Sequence, residues 1–120
     1  MKSILITGSN GFLGSNLINK LENKYRLFKH TKSDGDLKSQ KNFPVVDYVI
    51  HLAASSNTND FYQKPIDVIK NNFLSTLNLV EFYKKQKKNQ FLFFQVLLKL
   101  QIVPLIYLIL VNLQMKMFLL

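Results

Sequence analysis

Gly8, Gly11 and Gly14 stand three apart in the stretch TGSNGFLG (7–14), directly after the apolar run ILI. The chain has only four glycines, so three in eight residues point to a specific backbone requirement. A glycine-rich turn between a strand and a helix has one common chemical use. The first N–H groups of a helix lack intrahelical partners and carry about half a positive charge, which suits a phosphate. Gly8 lets the chain leave the strand sharply. Gly11 leaves no side chain where a pyrophosphate would approach, and Gly14 lets the helix lie close to the sheet. The spacing is Gly-x-x-Gly-x-x-Gly rather than the Gly-x-Gly-x-x-Gly of many dinucleotide sites. A purely structural turn is the rival account.

Such a turn works only if flanking elements hold it. SILIT (3–7) reads as a buried strand ending at the turn. In residues 11–24, Phe12, Leu13, Leu17, Ile18 and Leu21 recur on one stripe and predict a helix. YRLFKH (25–30) is a second strand, and residues 31–42 are a turn-rich loop with room for a very short strand at Asp36–Leu37. DYVIHLAA (47–54) is another buried strand, followed by the polar loop SSNTND. Pro65 suits the first turn of a long helix over 65–88, with Ile66, Ile69, Phe73, Leu77 and Val80 as its core stripe. QFLFF (90–94) closes the series as a strand. Strands alternating with helices imply right-handed crossovers, and so an α/β fold: part of a Rossmann-type parallel sheet, three-layered and doubly wound.

Bulk composition narrows the function classes. At 120 residues the chain allows one small domain, and without cysteine it has neither a disulfide framework nor a thiolate metal site. The net charge of +9 raises nucleic acid as a partner. However, the fifteen lysines are scattered apart from KKQKK (84–88), and no aromatic-basic motif accompanies them, so no nucleic-acid partner is expected. The start does not read as a signal peptide, since glycines interrupt its short apolar run, and a cytoplasmic location follows as the expectation.

ILITGSNGFLGSNLI resembles the N-terminus of the NAD(P)-dependent epimerase/dehydratase family, the extended short-chain dehydrogenases/reductases that act on nucleotide sugars. Two further stretches agree in order and distance. DYVIHLAA resembles the family strand that ends in His-x-Ala-Ala beside the cofactor. NNFLSTLNLVEFYKK resembles the Asn-x-x-Gly-Thr-x-Asn-Leu-Leu-Glu helix, with Ser75 where glycine is usual. The likeness covers residues 2–94. It implies that Gly8, Gly11, Phe12, Leu13 and Gly14 bind the pyrophosphate region. It places Asp36 and Leu37 at the adenine, and Leu52, Ala53 and Ala54 along the ribose and nicotinamide. Asn72 would pin the strand to its neighbouring helix, and His51 reads as structural rather than catalytic. The cofactor would be NADP or NAD. The second strand ends in FKHTKS with no acid before Asp34, and Lys29, His30 and Lys32 suit a 2′-phosphate, which favours NADP. Family members often dimerise through the helix corresponding to 65–88, so a homodimer is implied as well.

The family's chemistry also needs a serine after the QFLFF strand and a Tyr-x-x-x-Lys pair further on, in which the lysine lowers the tyrosine pKa for proton transfer. This chain continues Gln95-Val96-Leu97-Leu98. The only tyrosine beyond Tyr83 is Tyr107, with Val111 four residues later. No catalytic residue is therefore assigned, and the expectation is a dinucleotide-binding half-site without turnover. A nucleotide-sugar substrate would belong only to a full-length parent. The alternative is a non-catalytic NAD(P)-binding or membrane-anchored regulatory module.

The chain divides into 1–94, the front of a dinucleotide-binding domain, and an apolar 95–120. From Asn89 onward there is no acid and no glycine, and neither helical nor strand periodicity persists. One account is a frameshifted end, because permitted codons for Gln95–Ile106, read from their third base, encode Ser-Ala-Ala-Glu-Ile-Thr-Asn-Ser-Ser-Pro-Asp. The others are a membrane anchor and a native packed tail. IVPLIYLILV falls short of the roughly 20 apolar residues a spanning helix needs, so a membrane partner is not favoured.

Overall fold

The computed structural model describes residues 1–54, 58–86, 92–95 and 116–117. In chain order the elements are β1 (Ser3–Thr7), α1 (Phe12–Leu21), β2 (Arg26–His30), a 3-10 turn (Lys32–Asp34), β3 (Tyr48–His51), α2 (Thr58–Gln63), α3 (Pro65–Lys84), β4 (Leu92–Gln95) and β5 (Lys116–Met117). The strands form one sheet in the order β2-β1-β3-β4-β5, and every pairing is parallel. The expected α/β class and parallel Rossmann-type sheet are thus observed.

Alternation along the strands sorts the core into two layers. Ile4 and Ile6 face α1, where Ile18 is buried and Leu21, Leu27, Tyr48, Ile50 and Leu52 pack around them. Leu5 and Val49 face the other way, into a cluster with Leu37, Phe43, Val46, Leu79, Val80 and Tyr83. Short polar links set the register at the bottom of the sheet. The Asp47 carboxylate accepts the Ser3 backbone N–H at 2.8 Å and the Ser3 hydroxyl at 3.1 Å, tying the start of β1 to the residue before β3.

Four details differ from the sequence expectations. No strand forms at Asp36–Leu37. There the Asp36 side chain accepts the Lys38 N–H at 2.9 Å and its carbonyl accepts those of Ser39 and Gln40, so the segment is a turn. Helix α2 occupies part of the supposed polar loop. In α1, Phe12 and Leu13 are exposed instead of joining the core stripe, because they lie in the first turn, past the end of β1. In α3 the buried face is Val68, Asn72, Thr76, Leu79, Val80 and Tyr83, whereas Ile66 is 77% exposed and Ile69 39%. Of the expected stripe, Val80 is in the core and Phe73 and Leu77 are half-buried, while Ile66 and Ile69 turn outward. The helix turns its slimmer face to the sheet, where Thr76 satisfies its hydroxyl internally by donating to the Asn72 carbonyl at 2.9 Å.

β4 confirms a strand near the QFLFF stretch, as Leu92–Gln95. The expectations for the 95–120 tail lie outside the described residues, except that Lys116–Met117 pairs in parallel with Leu92–Phe93.

Candidate functional site

After β1 the chain runs to the edge strand β2, then crosses back to β3 on the other side of β1. The carboxyl ends of β1 and β3 therefore flank a topological switch point, the usual place for a ligand in an open parallel sheet. Residues 8–14 fill that point.

The three glycines there have different reasons to be glycine. Gly8 has φ +67, and a Cβ on it would come within 2.8 Å of the Ala53 nitrogen and 2.9 Å of the Leu52 carbonyl carbon. A Cβ on Gly14 would run into the Gly8 carbonyl oxygen and stand 2.9 Å from Ser9 Cα. Both positions are closed by the protein's own backbone. Gly11 differs: it has φ −75 and ψ 174, open to any residue, and a Cβ would meet only the Gly8 oxygen at an ordinary 3.4 Å. Among the described residues nothing accounts for a glycine at 11. Gly11 is also the N-cap of α1, makes no side-chain capping bond, and leads into a first turn without an acidic residue. The helix end thus presents its amide donors and partial positive charge to open space.

Neighbouring strand ends are fixed to this turn. Ser9 donates both its N–H and its hydroxyl to the His30 carbonyl, each at 3.2 Å, which joins the turn to the end of β2. Thr7 Oγ1 accepts the N–H of Leu52 at 3.1 Å and of Ala53 at 3.2 Å, and it is hydrogen-bonded to His51 Nδ1. His51 is fully buried. Burial pulls its pKa down to about 3, with the nearby charge of His30 acting in the same direction, so the ring is neutral at any ordinary pH.

Asp36 is exposed and forms an ion pair with Lys38 at 3.7 Å, whereas Leu37 is buried in the core. Asn78 on α3, which sequence reasoning passed over, holds this loop: its Nδ2 donates to the Leu37 carbonyl at 2.7 Å and the Gln40 carbonyl at 2.8 Å. Its presence in the NNFLSTLNLVEFYKK stretch was the available signal. Replacing Asn78 by alanine removes two bonds to partly buried carbonyls and should lower unfolding stability by about 2 kcal/mol, measured by urea denaturation. His30, expected to face a 2′-phosphate, is buried and bonded through Nε2 to Gln40 Oε1 at 2.8 Å. Lys29 and Lys32 remain exposed.

Two Tyr-x-x-x-Lys spacings occur early in the chain, Tyr25–Lys29 and Tyr83–Lys87. The first is not built as an acid/base pair, and Lys87 of the second lies outside the described residues. Tyr25 packs edge-on against Tyr48, and Lys29 lies four residues further along an extended strand, roughly 13 Å away at about 3.3 Å per residue. The Tyr83 hydroxyl donates to the Pro44 carbonyl at 2.7 Å, and burial raises its pKa, the reverse of what proton transfer needs. Among the described residues no cluster of His, Asp or Glu could hold a metal ion, and no helix is long and apolar enough to cross a membrane.

The family model "NAD dependent epimerase/dehydratase family" matches residues 4–95. The chain belongs to this family. A Methanocaldococcus jannaschii protein provisionally named UDP-glucose 4-epimerase is 32% identical, over 75% of this chain and 36% of its own length. The structure of the Thermotoga maritima UDP-glucose 4-epimerase with UDP-glucose superposes with a TM-score of 0.64 at 24% identity, covering 77% of this chain and 37% of that one. The structure of RMD from Pseudomonas aeruginosa complexed with NADPH gives a TM-score of 0.60 at 25% identity, covering 78% and 34%. The chain thus spans about a third of the length of these epimerase/dehydratase relatives.

Proposed function

We propose that this chain is the dinucleotide-binding front of a nucleotide-sugar epimerase/dehydratase, and that it binds NAD(P) without turning over a sugar substrate by itself. The observation that carries this reading is Gly11, a glycine that neither its backbone conformation nor packing against the described residues requires, at the uncapped start of a helix. A pyrophosphate is the group that needs that space. Gly8 and Gly14 shape the cradle, the exposed Phe12 and Leu13 flank it, Asp36 and Leu37 border the adenine, and Leu52, Ala53 and Ala54 line the ribose and nicotinamide side. When bound, the cofactor would exchange hydride with a sugar carbon in a complete enzyme.

The proposed lack of turnover is supported by Gln95 where the family has a serine after β4, and by Val111, not lysine, four residues after Tyr107. Lys29 and Lys32 support NADP over NAD, a preference now carried by two residues rather than three. The apolar Ile66, Ile69 and Leu74, exposed along α3, support a homodimer through that helix. The reading places the protein in the cytoplasm.

The test is fluorescence titration of the full chain with NADH and NADPH, together with an epimerisation assay on UDP-glucose. The expected result is saturable one-to-one binding with no epimerisation. A chain that binds neither dinucleotide overturns the reading, and epimerisation by the chain alone overturns its second half.

A further inference from the structure

The geometry of a phosphate turn does not explain why an imidazole is buried beneath it. Burying His51 carries a desolvation cost that an aliphatic residue would avoid, so its position calls for a use. Its Nδ1 is hydrogen-bonded to the Thr7 hydroxyl. A threonine hydroxyl has one proton to donate and two lone-pair sites. The N–H groups of Leu52 and Ala53 occupy the acceptor side of Thr7 Oγ1 at 3.1 and 3.2 Å. The remaining proton must therefore go to His51 Nδ1, which acts as the acceptor, while the ring carries its own proton on Nε2.

We propose that His51 is a positioning residue for the dinucleotide, acting through Thr7 to hold the end of β3 against the phosphate turn. The contact it protects is close. Ala53 N is held on one side by Thr7 Oγ1 and abutted on the other by Gly8, where even a methyl group would come within 2.8 Å. These two backbones are the walls of the crevice at the switch point. Without an acceptor at position 51, the Thr7 proton turns toward the Leu52 and Ala53 amides and repels them; the bond from the Leu52 N–H to the Thr7 carbonyl at 3.2 Å keeps the strands paired, and Ala53 shifts against Gly8. The inference rests on the dinucleotide-binding reading above.

The test measures NADH and NADPH affinity by fluorescence titration of the full chain, with thermal unfolding in parallel, for His51→Leu, His51→Asn, Thr7→Val and the double variant His51→Leu/Thr7→Val. Leucine fills the buried volume but accepts no proton, so His51→Leu should bind at least tenfold more weakly with an unfolding midpoint equal to or above wild type. The asparagine oxygen lies near the place of Nδ1, so His51→Asn should stay within about threefold of wild type. Thr7→Val should match His51→Leu, and the double variant should be no worse than either single one, because the pair acts as a unit. Wild-type affinity in His51→Leu, or His51→Asn as weak as His51→Leu, overturns the proposal. If His51→Leu does not fold, Thr7→Val decides: affinity unchanged from wild type overturns it. A wild-type chain that binds neither dinucleotide overturns this and the functional reading together, whereas equal binding by wild type and His51→Leu overturns this alone.

Discussion

Gly11→Val should abolish NADH and NADPH binding while leaving the fold intact. Valine adopts the extended backbone of Gly11 without strain, and its Cβ meets only the Gly8 oxygen at 3.4 Å. The loss of a permissive N-cap costs less than about 1 kcal/mol. The branched side chain nevertheless fills the space in front of the first helical amides, so affinity should fall on the order of a hundredfold or more, close to 3 kcal/mol. Gly14→Ala provides the contrast. Its methyl group meets the Gly8 carbonyl and Ser9 Cα, both backbone, so the turn and the helix must separate. Alanine's better helix propensity returns about 1 kcal/mol, and the net cost should still be about 2–3 kcal/mol of stability. Urea denaturation and cofactor titration on both variants separate the two roles. If Gly11→Val binds normally, or destabilises as much as Gly14→Ala, position 11 is a packing glycine and the phosphate site is misassigned.

Acidification should begin to destabilise this chain before its carboxylates titrate. Buried His51 has its pKa drawn from 6.5 to about 3 by desolvation, helped by His30. Above pH 6.5 the ring is neutral in folded and unfolded chains alike, and its contribution does not vary. Below 6.5 the unfolded chain takes up a proton that the native chain refuses, so stability falls as pH falls. The slope approaches about 1.4 kcal/mol per pH unit and persists until the native ring itself protonates near pH 3. Asp34 acts in a lower window. Hydrogen bonds from the Thr31 backbone N–H and hydroxyl hold its carboxyl below 3.8, so its contribution is lost only beneath that value. Urea midpoints at pH 7, 6, 5 and 4 should decline steeply for wild type and much less for His51→Asn. Parallel curves for the two proteins would show that His51 is not the titrating group.

Much of this molecule was legible in its sequence because the signals were local. The ILI run, the glycine spacing and the His-x-Ala-Ala strand end each depend on a few adjacent residues, and each forms where expected: β1, the turn into α1, and β3. The faces of the helices were harder to read. In α3 the stripe through Ile66, Ile69 and Phe73 is more apolar than the buried face through Val68, Asn72 and Thr76. Periodicity alone selects the former. The sheet selects the latter because Thr76 is small and its hydroxyl donates to the Asn72 carbonyl within the helix. The loop at 36–42 was also misread in detail, since Asp36 can bond its own following amides as readily as it can enter a strand.

The sequence by itself determined the family, the order of β1, α1, β2, β3, α3 and β4, and the place of the glycine turn, because these follow from short-range pattern and glycine chemistry. Only the tertiary structure decided what each glycine is for and which groups hold the turn. Gly8 meets Ala53, Thr7 meets His51, and Asn78 meets Leu37 across separations of more than forty residues. No local pattern encodes such contacts. They exist because a parallel sheet returns the chain to the same edge after each crossover, bringing the ends of β1, β2 and β3 side by side.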